Sequence, residues 1–567
     1  MTVWLPPPGT AGDGSAVRTG LPATREDSRD CPTAVAAGAR IWLRATPESP
    51  RRRRDPLQGF TLKPFMDALD LIEHRGVPTA QAMAELHRTQ GTFDGKGRPP
   101  AHPGLIEWTA AAVPRYLAAR EAENASRTVR TYPVPEEWVV RRDLRSPDRR
   151  GASHYEQTAW GRRYVSADGG VRELRLLSFG TAKKERSNAE RAAAAHTAAF
   201  GVPSTSGYGE LYRPLRGLPA ARTVRPRRVR IVDVGCGDGS STLLADWDLE
   251  EILRRYAEHT VPALGRAVDA AGRVPGSGCV GCKALNGCTT LHRAPGMLGL
   301  AAHLSRPRRS VSASDLRTHV ECPARFHLTR QLNLRSPRPE NTAILRGRAV
   351  DAWLNERHAT RPLMGCGQSA GPEDPGNWSA GGHVLTGEEA RAGARMIAEH
   401  AALCPLDGLD PGERVRVQPQ LTCYDPELDV VVIATPDLLH TRGGGWIWRE
   451  TKTAGNHLWE GRALMRTYPQ LALAVLMMAS GVLGGDTRRS RIELEMLYPD
   501  DGGLEVLDPG LPSVVDEART VIAEMAGPWQ RDTSYSAVPG RHCGGCEALD
   551  WCRPGREHLT PSPDPVA

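Results

Sequence analysis

The chain contains 567 residues, which is long enough for more than one domain. A net charge of +7 permits binding to nucleic acid but does not require it. No run of roughly 18 apolar residues is present, so we expect no membrane-spanning segment. The N-terminus lacks a basic stretch followed by an apolar core, and a cytoplasmic protein without a signal peptide is therefore expected.

Local composition and periodicity divide the chain into helical, strand-like and irregular stretches. Residues 1–30 are rich in proline and glycine, and they are predicted to be disordered, as is the tail 557–567. The composition of residues 364–384 predicts a long polar loop. Apolar periodicity predicts helices over 61–95, 104–123, 310–331, 343–358, 387–403 and 470–479.

A glycine-rich turn follows a strand-like run at Val232–Gly239. Taken alone, it is similar to the strand-to-helix turn of S-adenosylmethionine-dependent methyltransferases, whose glycines let the backbone approach the cofactor. Only about 40 residues separate this turn from Cys279, which is too few for the further strand and helix units of such an enzyme. A methyltransferase is therefore disfavoured and is kept only as a second alternative function.

Twelve cysteines occur in the chain, and six of them form two triplets with identical spacing, Cys-x2-Cys-x5-Cys. Each triplet is preceded at a long distance by a Cys-Pro pair. Without a secretion signal, this pattern favours two four-cysteine metal centres over disulfides. The two sets are Cys31, Cys279, Cys282 and Cys288, and Cys322, Cys543, Cys546 and Cys552. The remaining four are interpreted as isolated buried cysteines: Cys236, Cys366, Cys404 and Cys423.

The repeated cysteine pattern indicates a tandem duplication. A strand-like run begins at Arg230 before the first triplet and at Arg491 before the second, and each run is followed by a turn and a helix-like stretch. Residues 289–309 have the composition of a linker. We therefore predict two modules, 31–288 and 310–556.

The stretch 429–454 predicts a β-hairpin with converging charged side chains. An apolar run leads to Pro436-Asp437, and after a glycine-rich turn a second run ends in Glu450-Thr451-Lys452. Side chains two residues apart on a strand share a face, so the hairpin can bring Asp437 beside Glu450 and Lys452. Two carboxylates suit Mg2+ or Mn2+, and a lysine beside the metal can position the attacking water in phosphodiester hydrolysis.

Lysine usage singles out Lys452. The chain contains six lysines among 73 basic residues, and Lys452 is the only lysine after Lys283. An arginine cannot replace a compact ammonium whose pKa can be tuned. The alternative is an ordinary strand edge that carries a glutamate and a lysine. Trp446 and Trp448 share the parity of Lys452 and are predicted to be core residues of a central strand.

The first module lacks the corresponding chemistry. Aligning the two modules places Ser178 and Gly180 where the second module has Glu450 and Lys452. We therefore predict an inactivated first module that is kept for structure or DNA binding.

These residues give the second half of the chain a resemblance to the PD-(D/E)xK nuclease superfamily, in its RecB/AddB-like branch, which includes the CRISPR-associated RecB-like exonucleases. The core motif of the superfamily corresponds to Asp437, Glu450 and Lys452. Upstream, Cys322-Pro-Ala-Arg-Phe326 is similar to the first cluster cysteine of the branch and its surroundings. Gly347-Arg-Ala-Val-Asp351 falls where the family has Gly-x-x-x-His, so that Asp351 replaces the histidine.

The resemblance continues downstream of the core motif. Gln470 matches the glutamine of the family's Gln-x-x-x-Tyr motif, whereas Ala474 replaces the tyrosine. The triplet that begins at Cys543 matches the terminal cysteines of the family. The parts occur in the same order as in the family, over about residues 310–556.

The resemblance implies an α/β fold with two tandem restriction-endonuclease-like modules, each with a mixed central sheet flanked by helices and each clipped by a four-cysteine metal centre. It implies a deoxyribonuclease with Mg2+ or Mn2+ held by Asp437, Glu450 and Asp351, and with the Gln470 amide near the metal. A 4Fe-4S cluster is the implied occupant of the Cys322 set, and a second cluster of the Cys31 set, with Zn2+ as the alternative metal.

The resemblance further implies DNA as the substrate, in repair, recombination or defence against foreign DNA. No Walker-type nucleotide-binding motif occurs in the sequence, so any unwinding requires a partner helicase. The first alternative function is a non-catalytic DNA-binding scaffold with iron-sulfur clusters, for which the departures at Asp351 and Ala474 would be signs of decay.

Overall fold

The computed structural model describes residues 4–25, 31–47, 54–93, 98–205, 209–302, 304, 306–336, 341–368, 371–455, 457 and 463–560. The chain forms two compact units that are not contiguous in sequence. Unit 1 holds Met1–Thr290, Cys322–Pro337 and Thr533–Ala567, and unit 2 holds Leu291–Glu321 and Arg338–Asp532. Within the described residues, no helix is both long enough and apolar enough to cross a membrane.

The α-helices of the described residues are numbered in chain order. They are α1 (Pro32–Ala39), α2 (Lys63–Arg75), α3 (Thr79–Arg88), α4 (Pro103–Ser126), α5 (Asn188–Phe200), α6 (Ala220–Thr223), α7 (Leu249–Arg255), α8 (Val261–Asp269), α9 (Ala313–Glu321), α10 (Pro323–Phe326), α11 (Thr342–Ala359), α12 (Gly387–Leu403), α13 (Leu464–Thr467), α14 (Pro469–Ala479), α15 (Pro512–Arg531) and α16 (Arg553–Leu559). Unit 1 contains α1 to α8, α10 and α16, and unit 2 contains the others.

The strands of unit 1 form two five-stranded sheets and one short strand pair. They are β1 (Thr10–Ala11), β2 (Ala16–Thr19), β3 (Arg44–Ala45), β4 (Thr131–Pro133), β5 (Glu137–Asp143), β6 (His154–Thr158), β7 (Arg162–Ser166), β8 (Val171–Ser178), β9 (Val202–Thr205), β10 (Arg213–Pro214), β11 (Arg228–Gly235) and β12 (Ser241–Asp248). One sheet has the order β12-β11-β8-β7-β4, in which β8 and β11 are parallel and the other neighbours antiparallel. The other has the order β10-β9-β5-β6-β2.

Apolar helices cover the first of these sheets. The alanines of α5 pack on Leu174 and Ile231, which lie on β8 and β11. Aromatic residues of α2 and α4, including Phe65 and Trp108, form a second core cluster with Val232 and Val234 of β11. The predicted helix over 61–95 is two helices, α2 and α3, because Gly76 ends α2 in a left-handed conformation (φ +68°).

The glycine-rich stretch Val232–Gly239 is a strand-to-strand turn. It connects β11 to β12, which pairs with β11 in antiparallel orientation, and Gly239 has a positive φ of +78° in the turn. A methyltransferase cofactor loop requires a helix N-terminus directly after the strand. The methyltransferase alternative is therefore wrong for this stretch.

The strands of unit 2 form a five-stranded sheet, a four-stranded sheet and a hairpin. They are β13 (His292–Arg293), β14 (Arg309–Val311), β15 (Asn377–Ala380), β16 (His383–Thr386), β17 (Val415–Val417), β18 (Leu421–Asp425), β19 (Val430–Ala434), β20 (Leu438–Arg442), β21 (Gly445–Thr453), β22 (Arg491–Leu497) and β23 (Gly502–Leu507). The five-stranded sheet has the order β17-β20-β21-β22-β23, in which β21 and β22 are parallel and the other neighbours antiparallel. Its order and strand directions match those of β4-β7-β8-β11-β12 in unit 1.

Several predicted elements of the second half differ from the structure. The predicted polar loop 364–384 contains β15 and the start of β16, which form a hairpin. The predicted linker 289–309 contributes β13 and the first residue of β14 to the four-stranded sheet. The predicted helix over 310–331 is broken into β14, α9, α10 and the π-helical turn His327–Gln331. The predicted helix 387–403 is confirmed as α12.

The core of unit 2 explains the composition of its helices. Helix α14 has Pro469 in its first turn, where a missing N–H has no cost, and its apolar residues are buried on nearly every side. Helices α11 and α12 contribute Val350 and Met396 to a cluster closed by Trp378 of β15 and Leu497 of β22. The β21 strand at the centre of the five-stranded sheet is thus held in a packed environment.

Candidate functional site

The candidate active site is built on the hairpin of β20 and β21. Arg442 pairs with Gly445, so Gly443 and Gly444 form a two-residue turn, and both have positive φ values, of +56° and +85°. This is the geometry of the tight hairpin turns that favour glycine. The register of the two strands pairs Leu438 with Arg449. It therefore places Asp437, which precedes β20, beside Glu450, which follows Arg449.

Asp437 and Glu450, the two carboxylates placed in this way, converge on the ammonium group of Lys452. The Nζ of Lys452 lies 3.2 Å from Oδ2 of Asp437 and 3.3 Å from Oε2 of Glu450. It also donates to the carbonyl of Thr451 at 2.9 Å. The predicted convergence of these three side chains is therefore present in the structure.

Burial and charge set the protonation of this group. Burial raises the pKa of the Glu450 carboxyl to about 7, and the nearby Asp437 carboxylate adds to the increase. The Lys452 ammonium and the indole N–H of Trp448, which donates to Oε1 of Glu450 at 3.0 Å, oppose it. Although burial lowers the pKa of Lys452, the two carboxylates raise it by more, so Lys452 remains protonated.

Asp351 approaches the same group from helix α11. A Cβ at Gly347, one turn earlier, would lie 2.7 Å from Oγ1 of Thr453, so glycine permits this close approach of α11 to β21. Burial raises the pKa of Asp351 to about 6, and the carboxylate of Asp437 adds to the increase. The side-chain amide of Gln418 donates to Oδ2 of Asp351 at 3.2 Å.

Gln418 was missed by the sequence analysis. Its backbone N–H donates to the carbonyl of Asp437 at 3.1 Å, while its side chain contacts Asp351. It has a positive φ of +43°, which is uncommon for a residue other than glycine. The sequence signal was weak because a glutamine between two strands has no distinctive spacing.

The structure does not bring Gln470 into contact with the carboxylates. Gln470 is half-buried in the first turn of α14, and no hydrogen bond of its side chain occurs within the described residues. Ala474, one turn later, is fully buried in the core. The predicted role of Gln470 stays a prediction.

Trp446 and Trp448 are core residues, as predicted from their parity. They are 4% and 1% exposed, so neither can stack on a nucleic-acid base. The indole of Trp446 donates to the carbonyl of Leu483, whereas that of Trp448 donates to Glu450. The two tryptophans therefore share a face of β21 but have different partners.

The central strand of the matching sheet in unit 1 carries a different set of charges. On β8, Glu173 and Arg175 share a face and form an ion pair at 2.7 Å, and both are 1% exposed. Arg127 and Glu123 complete the network around them. Ser178, at the end of β8, donates to Asp233 at 2.8 Å. Each carboxylate of this network is paired with arginine, and its central pair, Glu173 and Arg175, is closed to solvent.

The four cysteines of the Cys322 set lie around one cavity in unit 1, which is also lined by Arg325 and His542. Backbone N–H groups point at two of the sulfurs: Val538 donates to Sγ of Cys322 at 3.5 Å, and Gly540 to Sγ of Cys543 at 3.4 Å. A Cβ at Gly555 would lie 3.4 Å from Sγ of Cys552 and 3.6 Å from Sγ of Cys543. The cavity is thus lined by thiols and kept open by glycine.

The four cysteines of the Cys31 set also converge within unit 1. Burial raises the pKa of the Cys282 thiol to about 11, and interactions with Cys31, Cys279 and Cys288 add to the increase. The N–H of Gly276 donates to Sγ of Cys279 at 3.4 Å, which is the counterpart of the Gly540 contact in the other set. Both predicted cysteine sets are therefore brought together, and both lie in unit 1.

Two of the cysteines that were interpreted as isolated are not isolated. Cys366 and Cys404 are buried beside His358 and His400, and the ligand atoms of these four residues lie within 4.8 Å of one another. Cys236 and Cys423 are buried, as predicted. The interpretation of Cys366 and Cys404 was wrong because their histidine partners lie in different helices and have no recognisable spacing.

The residues of the candidate active site fit a divalent cation. Three carboxylates, those of Asp351, Asp437 and Glu450, face one region; burial raises the pKa of Asp351 and of Glu450, and repulsion by the Asp437 carboxylate adds to both increases. A cation bound there would remove this repulsion, and hard oxygen ligands are those that Mg2+ and Mn2+ prefer. The single ammonium of Lys452 does not neutralise all three groups.

One family model and several solved structures are similar to this chain. No curated protein matches the chain. A solved structure of a protein described as a candidate exonuclease from Eubacterium rectale is 12% identical, covers 46% of this chain and 91% of its own, and gives a TM-score of 0.28. The structure of the protein SSO0001 is 11% identical, covers 43% of this chain and 86% of its own, and gives a TM-score of 0.22. Residues 310–553 match the family model of the PD-(D/E)XK nuclease superfamily, and the chain therefore contains a domain of that superfamily.

Proposed function

We propose that unit 2 is a metal-dependent deoxyribonuclease of the RecB/AddB-like type. The observation that carries the proposal is the position of the Lys452 ammonium, which lies 3.2 Å from Asp437 and 3.3 Å from Glu450. An ordinary strand edge would place such a group in solvent, whereas Glu450 is 5% exposed and its pKa is raised. Buried carboxylates with raised pKa values are typical of functional sites.

In the proposed mechanism, Asp437, Glu450 and Asp351 hold one or two Mg2+ or Mn2+ ions. A bound cation of this kind supplies stabilisation of the negative charge that develops on the phosphate under attack. Lys452 orients the attacking water through its ammonium group, which two carboxylates and one carbonyl hold in place. The amide of Gln470 would lie near the metal, as its match to the glutamine of the Gln-x-x-x-Tyr motif implies.

We propose that the chain arose by duplication of one nuclease module and that the first copy is inactive. The shared strand order and directions of the two five-stranded sheets support the duplication. The replacement of the aspartate, glutamate and lysine group by a closed arginine-carboxylate network on β8 supports the loss of activity. In this proposal the sequence modules run over 31–288 and 310–556, and the second module contributes Cys322–Pro337 and its C-terminal segment to unit 1.

Each four-cysteine set is proposed to hold a 4Fe-4S cluster. The spacing of the Cys543 triplet, which resembles that of the terminal cysteines of the family, supports a cluster over zinc, and cysteine thiolates are the usual ligands of such clusters. Each site would join distant parts of the chain and stabilise unit 1 by restricting the unfolded state.

DNA is the proposed substrate, and a helicase is the proposed partner. The chain has no Walker-type motif, so duplex unwinding would require another protein. The biological setting that we propose is DNA repair, recombination or defence against foreign DNA.

Cleavage of end-labelled DNA tests the proposed function. Anaerobically purified protein would be incubated with single- and double-stranded DNA in the presence of Mg2+ or Mn2+, beside the Lys452→Ala variant. We expect metal-dependent cleavage by the wild type and its loss in the variant, with unchanged iron content and unfolding temperature.

Other results separate this proposal from the scaffold alternative. If the wild type binds DNA but does not cleave it with either metal, with or without an added helicase, the nuclease proposal fails and the scaffold function is favoured. If the Lys452→Ala variant cleaves as fast as the wild type, the activity comes from another site. Arg519→Ala, on the exposed side of α15, serves as a matched control.

A further inference from the structure

Four side chains of unit 2 that the proposed nuclease chemistry does not use form a closed group. His358 lies in the last turn of α11, His400 in the last turn of α12, and Cys404 directly follows α12. Cys366 lies in the short 3-10 turn Cys366–Gln368. The four residues are 0–7% exposed, so the group has no access to solvent.

The donor atoms of this group have the spacing of ligands to one metal ion. The two Nε2 atoms of the histidines are 3.2 Å apart, and Nε2 of His358 lies 3.5 Å from Sγ of Cys366 and 3.8 Å from Sγ of Cys404. In a tetrahedral zinc site, Zn–N and Zn–S bond lengths require ligand–ligand separations of about 3.3–3.8 Å. The observed distances, 3.2–3.8 Å, match this range to within about 0.1 Å.

A carboxylate fixes the orientation of one of the histidines. The Nδ1 of His400 lies 2.8 Å from Oε1 of Glu495, which is fully buried on β22. Because a carboxylate accepts the Nδ1 proton, the Nε2 of a neutral His400 carries a lone pair and faces His358. This arrangement, in which a carboxylate binds the outer nitrogen of a histidine, is the one that supports histidine ligands of zinc.

Two other uses of the group fit the distances less well. In a Rieske [2Fe–2S] centre the two histidines bind one iron and the two cysteines the other, so histidine and cysteine atoms would be farther apart than ligands of one ion. A disulfide between Cys366 and Cys404 would leave the two facing histidines without a common partner. The thiols are free in the structure.

We infer that His358, Cys366, His400 and Cys404 bind a single structural Zn2+ ion. All four positions around the ion are taken by protein atoms, which is the property of structural rather than catalytic zinc sites. The ion joins the C-terminal ends of α11 and α12 and the turn at Cys366; in sequence, the β15–β16 hairpin lies between this turn and α12.

The site is connected to the back of the catalytic strand. Glu495, the partner of His400, also accepts a hydrogen bond from Oγ1 of Thr451 at 2.9 Å. Thr451 lies between Glu450 and Lys452, and its side chain points to the opposite face of β21. Zinc would also fix α11, which carries Asp351 two turns before His358. We expect the ion to position the catalytic strand and helix without touching the substrate.

Metal analysis of the wild type tests this inference directly. The protein would be produced in zinc-supplemented medium, purified anaerobically on a non-chelating affinity tag, and measured for zinc and iron by mass spectrometry. We expect about one zinc per chain, with an X-ray absorption spectrum that fits two sulfur ligands at about 2.3 Å and two nitrogen ligands at about 2.0–2.1 Å. Replacement of the zinc by Co2+ should give the intense visible absorption of a tetrahedral site.

Variants assign the zinc to these residues. The double variant Cys366→Ser/Cys404→Ser should lose the zinc and keep its iron, whereas Cys546→Ser should lose the iron of the Cys322 set, about half of the total, and keep the zinc. Cys423→Ala, a buried cysteine of the same unit outside the group, is the matched control and should keep both. The wild-type spectrum decides the matter if the double variant does not fold.

Three results would overturn the inference. The first is a folded wild type that holds less than about a tenth of an equivalent of zinc after incubation with Zn2+. The second is zinc with four sulfur ligands that persists in the double variant, because the metal would then occupy a four-cysteine set. The third is a Cys366–Cys404 disulfide in the anaerobically purified protein. None of these readouts depends on nuclease activity, so the inference can fail or hold independently of the proposed function.

Discussion

Lys452 and Asp437 are joined by a contact of 3.2 Å between Nζ and Oδ2, and the backbone N–H of Thr451 donates to the same oxygen at 2.8 Å. Two donors therefore occupy Oδ2 of Asp437. The other carboxylate oxygen has no hydrogen bond within the described residues and is left for a cation. The lysine thus has two roles at once, since it also orients the carboxylate that would bind the metal.

An arginine at position 452 should not support DNA cleavage as the lysine does. The Lys452→Arg variant keeps the positive charge, but a planar guanidinium cannot occupy the position of a compact ammonium between two carboxylates and a carbonyl. We expect the rate of DNA cleavage to fall by about 10²-fold or more in both Lys452→Arg and Lys452→Ala, as for the loss of a group that positions the nucleophile. Single-turnover cleavage at saturating Mn2+ measures this effect. An arginine variant with more than half of the wild-type rate would show that charge alone is sufficient.

The indole N–H of Trp448 should lower the pKa of Glu450. The Trp448→Phe variant keeps an aromatic ring in the core but removes the indole N–H that donates to Oε1 of Glu450. Because this hydrogen bond lowers the pKa of Glu450, its loss should raise that pKa by about one unit, which corresponds to a hydrogen bond to a charged group. The acid limb of the pH–rate profile should move to higher pH by the same amount.

Trp446→Phe is the matched control for this prediction. Trp446 lies on the same face of β21, but its indole donates to the carbonyl of Leu483 and not to a carboxylate. Both variants should lose a similar free energy of unfolding, about 1–2 kcal/mol, from the smaller ring. Equal shifts of the acid limb in the two variants would mean that packing, rather than the hydrogen bond, controls Glu450.

The catalytic hairpin could be predicted from sequence because its information is local. Its alternation of side chains, its two-glycine turn and its three charged residues lie within residues 429–454, and a period of two fixes which residues share a face. The break between α2 and α3 was similarly encoded by Gly76, although the periodic pattern alone suggested one helix. The fragmentation of 310–331 was missed because it depends on packing in both compact units.

The histidine and cysteine group could not be predicted because its members are brought together by tertiary packing. His358 and His400 lie on different helices, and 41 residues of intervening chain, 359–399, include a hairpin. Only the pair His400-x3-Cys404 is local, and one histidine and one cysteine at that spacing are common in helices. The same reason explains Gln418, whose backbone contact with Asp437 continues the β17–β20 pairing and whose side-chain contact with Asp351 depends on where α11 packs.

Metal-free protein should become less stable as the pH rises, because of Glu450. The pKa of Glu450 is about 7 in the folded protein and 4.5 in the absence of its surroundings. A carboxyl group whose pKa is raised by folding contributes stability that is complete below pH 4.5 and is lost as the pH rises through 7. The Glu450→Gln variant should lack this part of the decrease, which we expect to be about 1–3 kcal/mol.

Chemical unfolding at several pH values in buffer without Mg2+ or Mn2+ measures this dependence. Addition of saturating Mg2+ to the wild type should flatten the curve, because a cation near Glu450 lowers its pKa. The prediction concerns the difference between the two proteins, so titrating groups distant from Glu450 cancel. Identical pH dependence in the wild type and in Glu450→Gln would contradict a raised pKa at Glu450.

Replacement of Gly347 by alanine should weaken metal binding without disrupting helix α11. In Gly347→Ala the new Cβ would meet Oγ1 of Thr453 at 2.7 Å, so either the Thr453 side chain rotates or α11 moves away from β21 and takes Asp351 with it; we expect the helix to move. We expect the apparent affinity for Mn2+ in the cleavage assay to fall by about tenfold, which corresponds to roughly 1.4 kcal/mol. The double variant Gly347→Ala/Thr453→Ala removes the clashing oxygen and should recover most of the loss.

Gly38 provides the matched control for this last prediction. It also lies in a helix, α1, but no atom lies within 4 Å of a Cβ built at this position. Gly38→Ala should therefore gain up to about 1 kcal/mol of stability from helix propensity and leave the Mn2+ dependence unchanged. Gly347→Ala has the same intrinsic gain in its helix, so a loss of metal affinity without a loss of helix content would separate the position of Asp351 from the stability of α11. An unchanged Mn2+ dependence in Gly347→Ala would contradict the expected displacement of Asp351 from the metal site.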